Sequence, residues 1–228
     1  MPDWSLEGEL RKAAGADNVE SALRALNLLP TNQQLAGITL VADWTRGGAE
    51  SYIFRFDVRM VSGLTVPAII KAHTPPIGPQ SIEKSLSEML RRRHLLADAG
   101  LRVPSLYYSG NGIIIEQYIP LAFGEYFSQM SPGSTHCLSL ATELIVIALV
   151  LDECGFAPID VIGDLRADDN DYVYMIDFGE DLGPPNIQPN HGRNEKRFRE
   201  WLDQQNLSWP HQTIRKRGLE EIQRRRLP

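Results

Sequence analysis

Two extended stretches decide the fold of this chain, YIFRFDV at residues 52–58 and VPAIIK at residues 66–71. Both are rich in β-branched or aromatic residues, which is typical of strands. Another extended stretch, ITLV, precedes them at residues 38–41, and the glycine-containing segment TRGGA lies at residues 45–49. We therefore predict that residues 38–41 and 52–58 form a hairpin with a glycine turn, and that residues 66–71 form a third strand that ends at Lys71.

The regions on either side of these strands read as helices. Leu6–Ala14 and residues 18–29 form a predicted helical leader that ends at Pro30, since apolar residues recur there at helical spacing. After the third strand, a helix is predicted from near Ser81 to Gly100, because glycine is a natural helix stop.

The remainder of the chain changes from strands to helices. Residues 106–108 and 113–118 are predicted strands joined by a tight turn. A strongly apolar helix is expected at residues 138–153, followed by a short hairpin and a helical tail. The order, strands around one helix and then helices around one hairpin, predicts an α+β fold with two lobes.

Composition places the chain among ordinary soluble globular proteins. Of its 228 residues, 43% are hydrophobic and 23% are charged, with a net charge of -6, which excludes disordered and collagen-like chains. The longest wholly apolar run, residues 144–151, is eight residues long, whereas a membrane-spanning helix needs roughly 18 to 20. The amino terminus lacks a basic region followed by an apolar one, so we expect a cytoplasmic protein without a membrane partner.

The two cysteines and the basic C-terminal tail indicate no metal site and no nucleic-acid partner. Cys137 and Cys154 lack CxxC spacing, so buried thiols are expected rather than a disulfide or a metal site. Residues 213–228 carry a local charge of +4 and leave -10 on the rest. We interpret the tail as a solvated helix end, whose cations suit the negative pole of the helix dipole. Because no aromatic residues interleave with its arginines, we expect no nucleic-acid partner.

Four features occur in an order that resembles the protein-kinase-like superfamily. They are the glycine turn, Lys71 at the end of the third strand, Glu88 in the next helix, and MIDFG at residues 175–179. The superfamily includes small atypical bacterial kinases and the aminoglycoside and choline phosphotransferases. The resemblance covers roughly residues 37–183, and its most specific element is Asp-Phe-Gly after a β-branched, aromatic strand.

The resemblance implies a two-lobed protein-kinase-like fold with a reduced C-lobe, since only 49 residues follow Gly179. Residues 1–36 would form an N-terminal helical extension. Residues 37–117 would form the kinase-like N-lobe. Residues 118–228 would form the reduced C-lobe with its basic C-terminal tail.

Several residues would bind ATP if the resemblance holds. A glycine-rich loop lets backbone N–H groups approach phosphates without side-chain collision, and Gly47, Gly48 and Ser51 occupy that position. With two adjacent glycines the loop departs from GxGxxG, so an ordinary hairpin turn is the alternative. Glu116 and Tyr118 lie in the segment that resembles the hinge, whose main chain bonds adenine.

Lys71 resembles the strand lysine that holds the α- and β-phosphates and is steadied by a glutamate of the next helix. We assign that glutamate to Glu88, because it lies twelve residues before Gly100, close to its place in the aminoglycoside phosphotransferase pattern. Glu83 is the alternative. As a lone feature, Lys71 would read as a snorkelling lysine at a strand end.

The candidate catalytic loop is GFAPIDVIGDL at residues 155–165. The resemblance assigns Asp160 to the base that orients and deprotonates the acceptor hydroxyl, and Asp164 and Asp177 to Mg²⁺. The family's histidine before the base is missing, and we expect the three carboxylates to cluster around the ion. A competing alignment makes Asp164 the base and Asn170 the metal ligand, but it leaves too few residues for a hairpin before Asp177.

These assignments imply an ATP- and Mg-dependent phosphotransferase that transfers phosphate to a hydroxyl acceptor. We favour a minimal atypical protein (Ser/Thr) kinase, because the short C-terminal portion leaves little material for the acceptor pocket of an antibiotic kinase. A small-molecule kinase of the aminoglycoside or choline type is an alternative. A pseudokinase that acts as a binding module is another, which the missing histidine favours.

Overall fold

The computed structural model describes residues 5–47, 51–73, 78–179, 182 and 192–227, with the backbone alone at residues 42–47, 51, 73 and 78–81. The fold is mixed α+β. The chain divides into two compact units, which are described separately below. The first unit consists of Met1–Ser87 and Pro104–Tyr118, and the second consists of Glu88–Val103 and Ile119–Pro228.

Seven helices and eight strands occur in the described part of the chain. The helices are α1 (Leu6–Ala14), α2 (Val19–Ala25), α3 (Gly78–Asp98), α4 (Phe123–Ser128), α5 (Thr135–Cys154), α6 (Arg193–Gln204) and α7 (His211–Arg226). The strands are β1 (Leu35–Gly47), β2 (Ser51–Met60), β3 (Thr65–His73), β4 (Leu106–Gly110), β5 (Ile113–Gln117), β6 (Leu121–Ala122), β7 (Leu165–Ala167) and β8 (Val173–Met175).

The first unit is built on a five-stranded antiparallel sheet in the order β1-β2-β3-β5-β4. Strands β2 and β3 pair in unbroken register from Ser51 and His73 to Arg59 and Thr65. Successive side chains of a strand point to opposite faces, so the apolar and charged positions of β2 separate. The predicted hairpin, third strand and two later strands are confirmed.

The apolar face of this sheet is covered by α1 and α2. One buried core contains side chains from both helices and from the sheet, including Leu10, Leu23, Phe56, Ile70 and Ile115. Both helices begin at side-chain caps, since the Ser5 and Asn18 oxygens accept N–H bonds from the first turn. The predicted helical leader is confirmed, and its leucines lie in the same core as the sheet.

The second unit is organised around α5, a largely apolar helix most of whose residues are buried. Ser134 caps its beginning, and Gly155 ends it with a left-handed φ of 78°. Helices α6 and α7 pack against it. At Gly218 of α7 the approach is close, because a Cβ there would lie 3.0 Å from a methyl group of Ile145.

A three-stranded antiparallel sheet, β6-β7-β8, completes the second unit. The turn between β7 and β8 is closed by Asp168, whose Oδ1 accepts the N–H groups of Asn170 and Tyr172. The hairpin predicted here is confirmed. Strand β6 and helix α4 are not predicted from the sequence, because elements of two and six residues are too short to show a period.

Two expectations from composition can be compared with the structure. Cys137 is buried and Cys154 half-buried, both are free thiols, and burial raises the pKa of each. Among the described residues, no helix is both long and apolar enough to span a bilayer.

Four arginines of the C-terminal helix contact acidic side chains, namely Arg215, Arg224, Arg225 and Arg226. Arg225 bonds Glu221 at 2.8 Å and also contacts Glu143, which in turn accepts a bond of 2.6 Å from Arg102. Arg226 donates to the first main-chain carbonyl after α3. These contacts fasten α7 to α5 and to the end of α3 within the second unit.

This network predicts a pH-dependent stability centred on Glu221. Its hydrogen bond with Arg224, assisted by Arg225, lowers its pKa from 4.5 to about 2. The folded state therefore binds fewer protons, so the stabilisation is complete above pH 4.5 and is lost as the pH falls toward 2. This shift corresponds to roughly 3 kcal/mol, and solvent screening of the partly exposed pair reduces it, so we expect Glu221→Gln to lower the free energy of unfolding by about 2 kcal/mol at neutral pH.

Urea denaturation of both proteins at a series of pH values measures this difference, which should narrow on acidification. Glu220→Gln is the matched control, because Glu220 is exposed and lies 3.9 Å from its lysine partner. A pH-independent difference, or an equal effect in the control, would contradict the assignment.

Candidate functional site

Lys71 and Glu116 form an ion pair on the charged face of the five-stranded sheet. Strands β3 and β5 are neighbours, and the register places Lys71 opposite Ile114 and Ile69 opposite Glu116, so the two charged residues are diagonal neighbours on one face. Lys71 Nζ lies 2.7 Å from Glu116 Oε1, and the two side chains are 12% and 2% exposed. Within the first unit, the carboxylate beside Lys71 is therefore Glu116. Glu88, which the sequence assigns to that role, belongs to the second unit, so its pairing with Lys71 stays a prediction.

More polar groups lie on the same face. The guanidinium of Arg55 lies 4.1 Å from the ring centroid of Tyr118 and 3.7 Å from Asp57. Arg55 Nε and Asp57 Oδ1 are buried without a hydrogen-bond partner among the described residues. Sequence reasoning does not single out Arg55 or Asp57, although charges at alternate positions of β2 are the signal that would have found them.

Of the other residues predicted to contact the nucleotide in the first unit, only some lie within the described part of the structure. Gly47 pairs with Ser51 at the end of the β1-β2 hairpin, while Gly48 and the Ser51 side chain lie outside the described residues. Tyr118 donates its main-chain N–H to Pro67 across 3.4 Å, a long bond. The phosphate and adenine contacts stay predictions.

Glu88 has its own partners on α3. Its carboxylate accepts hydrogen bonds from Arg91 at 2.8 and 2.7 Å and from Arg92 at 3.1 Å. These bonds, that of Arg91 above all, lower the pKa of Glu88 to about 2. Arg92 also donates to the carbonyl of Gly179 at 2.5 Å. Glu88 is therefore connected to the Asp-Phe-Gly segment through one arginine.

The Asp-Phe-Gly segment follows β8 and touches the candidate catalytic loop. Asp177 Oδ1 accepts the N–H of Gly179 at 2.9 Å, and the N–H of Ile176 donates to the carbonyl of Asp164 at 3.0 Å. The main-chain bond between Ile176 and Asp164 places the segment that carries Asp177 next to the loop that carries Asp164, so the two predicted metal ligands lie on adjacent segments. Asn170, the ligand of the competing alignment, lies exposed in the β7-β8 turn.

The predicted clustering of three carboxylates is not found. In the described part of the chain, no group of three or more Asp, Glu, His or Cys residues is placed to hold a metal ion. Asp160 is exposed and turned back on its own loop, where its Oδ1 accepts the N–H of Gly163 at 3.0 Å. Mg²⁺ is usually held by one or two carboxylates together with water and substrate phosphates, so the assignment of Asp164 and Asp177 to Mg²⁺ stays a prediction.

Helix α6 holds the loop that carries Asp160. The buried carboxylate of Asp152 accepts the main-chain N–H groups of Asn194 and Glu195 at 2.8 and 3.0 Å. The Asn194 side chain donates to Asp152 and to the carbonyl of Phe156. One turn later, Arg197 donates to the two carbonyls that precede Asp160, at 2.6 and 2.9 Å.

Sequence reasoning misses these anchoring residues. The available signal is that Asp152 is one of three carboxylates in a largely apolar helix, with Glu143 and Glu153. A charge in such a position is expected to have buried partners, but the sequence does not say which residues they are.

A pocket of about 160 Å³ adjoins Asp160 in the second unit. Its lining residues are Ile159, Asp160, Val161, Ile162, Arg197, Phe198 and Trp201. Trp201 also packs edge-on against Phe127, with ring centroids 5.1 Å apart. The predicted base therefore lies at the wall of a largely apolar pocket.

Comparison with known proteins adds no family to this geometry. No protein-family model matches the chain, and no curated protein matches it significantly.

The ion pair predicts a measurable coupling between Lys71 and Glu116. Lys71→Met and Glu116→Gln each leave one partly buried charge without its opposite, so each should destabilise the protein. In a double-mutant cycle followed by urea denaturation, we expect a coupling energy of about 1 to 3 kcal/mol. Additive effects of the two substitutions would show that the contact contributes nothing.

Proposed function

We propose that this chain is a Mg-dependent phosphotransferase of the protein-kinase-like superfamily, which transfers the γ-phosphate of ATP to a protein hydroxyl. The observation that carries the proposal is the Lys71–Glu116 pair, which fixes an ammonium on the third strand of an antiparallel sheet. The described elements follow the order of three strands, one helix and two strands, as the resemblance implies. The two-lobed kinase-like arrangement is part of this proposal.

Lys71 would bind phosphate oxygens of the nucleotide. Its side chain is 12% exposed and already fixed by Glu116, so it would lose little conformational entropy when a phosphate binds. Partial burial would also strengthen the electrostatic attraction between the ammonium and the phosphate. Glu116 neutralises the ammonium when no nucleotide is bound. Once phosphate binds, Glu116 holds the ammonium in place, which is the role that the resemblance gives to a helix glutamate.

Asp164 and Asp177 would hold Mg²⁺, which neutralises the phosphate charge that develops during transfer. The contact between Ile176 and Asp164 keeps the two ligand-bearing segments together. Arg92 joins the same segment through the carbonyl of Gly179. These contacts orient Asp177 before any substrate binds.

Asp160 would orient the acceptor hydroxyl and receive its proton. The hydroxyl oxygen forms a bond to the γ-phosphorus, the bond from that phosphorus to the β–γ bridging oxygen breaks, and ADP leaves with the electron pair. Asp160 suits this role because its carboxylate is exposed, and a general base must be within hydrogen-bond reach of the hydroxyl. We infer a serine or threonine side chain as the acceptor.

A nucleotide-binding module without transfer is the second candidate function. The contact of Lys71 with a strand carboxylate favours it, because the carboxylate of Glu88, assigned to that role from the sequence, is engaged by Arg91 and Arg92. Such a module would bind ATP and transfer nothing, so one pair of measurements separates the two functions.

The test combines calorimetric titration of ATP with Mg²⁺ and transfer of labelled γ-phosphate to a generic protein. We expect binding and transfer in the natural protein, and both lost or reduced at least tenfold in Lys71→Met and Asp177→Asn. Lys84→Met and Asp169→Asn are the matched controls, since both residues are exposed. Absence of ATP binding at millimolar nucleotide would contradict both candidate functions. ATP binding without phosphate transfer would favour the nucleotide-binding module over the phosphotransferase.

A separate substitution tests the position of the Asp160 carboxylate. A Cβ at Gly163 would lie 2.5 Å from Asp160 Oδ2, so Gly163→Ala must displace that carboxylate. We expect kcat to fall about tenfold or more with the KM for ATP unchanged. Gly37→Ala is the control, because a Cβ there meets nothing within 4 Å. Unchanged turnover in Gly163→Ala would exclude Asp160 as the base.

A further inference from the structure

The pocket beside Asp160 is apolar on most of its wall. Val161 and Phe198 line it and are 5% and 2% exposed, and Trp201 contributes an indole ring. Ile159 lies at the same wall and is 74% exposed, although large aliphatic residues are usually more buried. An exposed isoleucine beside a predicted catalytic carboxylate suggests a surface that a substrate covers.

Two opposite charges share this wall. Arg197 is fixed there by its bonds to the carbonyls of residues 158 and 159, and Asp160 supplies the single carboxylate among the lining residues. The pair gives the pocket no net charge. A polycation such as an aminoglycoside would meet a fixed guanidinium and one carboxylate, which is a poor match. A neutral apolar group meets no such penalty.

The volume narrows the occupant further. The open pocket has a volume of about 160 Å³, close to the roughly 150 Å³ of an apolar cavity that binds one benzene ring. A guanidinium at the wall attracts the face of an aromatic ring through a cation–π interaction. One aromatic ring therefore suits both the size and the charge of the pocket.

We propose that this pocket binds an aromatic side chain of a protein acceptor, carried by the residue next to the serine or threonine that is phosphorylated. The proposal rests on the proposed phosphotransferase function, because Asp160 takes the acceptor proton. The ring cannot be separated from the hydroxyl by many residues, since Asp160 itself lines the pocket. The acceptor class is thus a polypeptide segment with adjacent aromatic and hydroxyl residues.

The first experiment measures transfer from ATP to peptides that differ at one position. Three otherwise identical peptides contain Ser-Phe, Phe-Ser or Ser-Ala, and a fourth contains tyrosine as the sole hydroxyl residue. Kanamycin is the small-molecule acceptor. We expect one of the two phenylalanine peptides to have a kcat/KM about tenfold above that of the Ser-Ala peptide, since burial of one aromatic ring is worth at least that factor.

The second experiment uses a variant of the pocket wall. Ile159→Ala should raise the KM of the preferred phenylalanine peptide about threefold and leave the KM for ATP and the Ser-Ala peptide unchanged. The main-chain carbonyl that binds Arg197 is retained in this variant. Leu227→Ala is the matched control, because Leu227 is 72% exposed, close to the 74% of Ile159, and does not line the pocket.

A third measurement does not depend on catalysis. N-acetyl-Ser-Phe-amide, N-acetyl-Phe-Ser-amide and N-acetyl-Ser-Ala-amide are titrated against the full chain without nucleotide, with ligand NMR signals as the readout. At least one phenylalanine compound should bind more tightly than the alanine compound, and Ile159→Ala should weaken that binding while Leu227→Ala does not.

The outcomes separate this inference from the proposed function. Equal kcat/KM values for the phenylalanine and alanine peptides, or a preference for tyrosine or kanamycin, would overturn the inference and leave phosphotransfer intact. If ATP is not bound or transferred, the proposed function fails, and the titration alone decides whether the pocket is an aromatic site. Equal binding of all three compounds would then overturn that as well.

Discussion

The buried carboxylate of Asp152 is the contact on which the candidate catalytic loop depends. It lies at the end of the apolar helix α5 and accepts three N–H groups, two of them from the Asn194 main chain and side chain and one from Glu195. A buried carboxylate is tolerated only when its oxygens are hydrogen-bonded. The start of α6 supplies those donors, together with the positive end of a helix dipole. Helix α6 then holds the loop through Arg197.

In the sheet of the first unit, buried charges are paired with each other rather than with main-chain N–H groups. Lys71 and Glu116 are both largely buried, and either charge alone would be costly in that position. Replacing such a pair with apolar residues is often neutral or stabilising, so stability gives no reason to place it there. A fixed ammonium is what the proposed nucleotide binding would require of Lys71.

Much of the local structure follows from the sequence, because apolar periodicity and the glycine and proline residues that end helices and strands are local properties. The apolar spacing of the leader helices and the extended stretches of β2 and β3 each act over a few residues, and the corresponding elements are found close to their predicted bounds. Strand β6 and helix α4 are too short for that signal. They are stabilised by the neighbours they pair with or pack against, which are distant in sequence.

For the candidate site, the sequence by itself singled out the residues that we propose carry the chemistry, Lys71 and the aspartates of the late loop and hairpin, because motif order and spacing are visible in one dimension. Only the tertiary structure decided their partners. Strand register put Glu116 beside Lys71, and helical spacing put Arg91 and Arg92 beside Glu88. The packing of α6 put a pocket beside Asp160. Ion pairs and pockets depend on distances in space, and residues such as 71 and 116 become neighbours only when a sheet joins their strands.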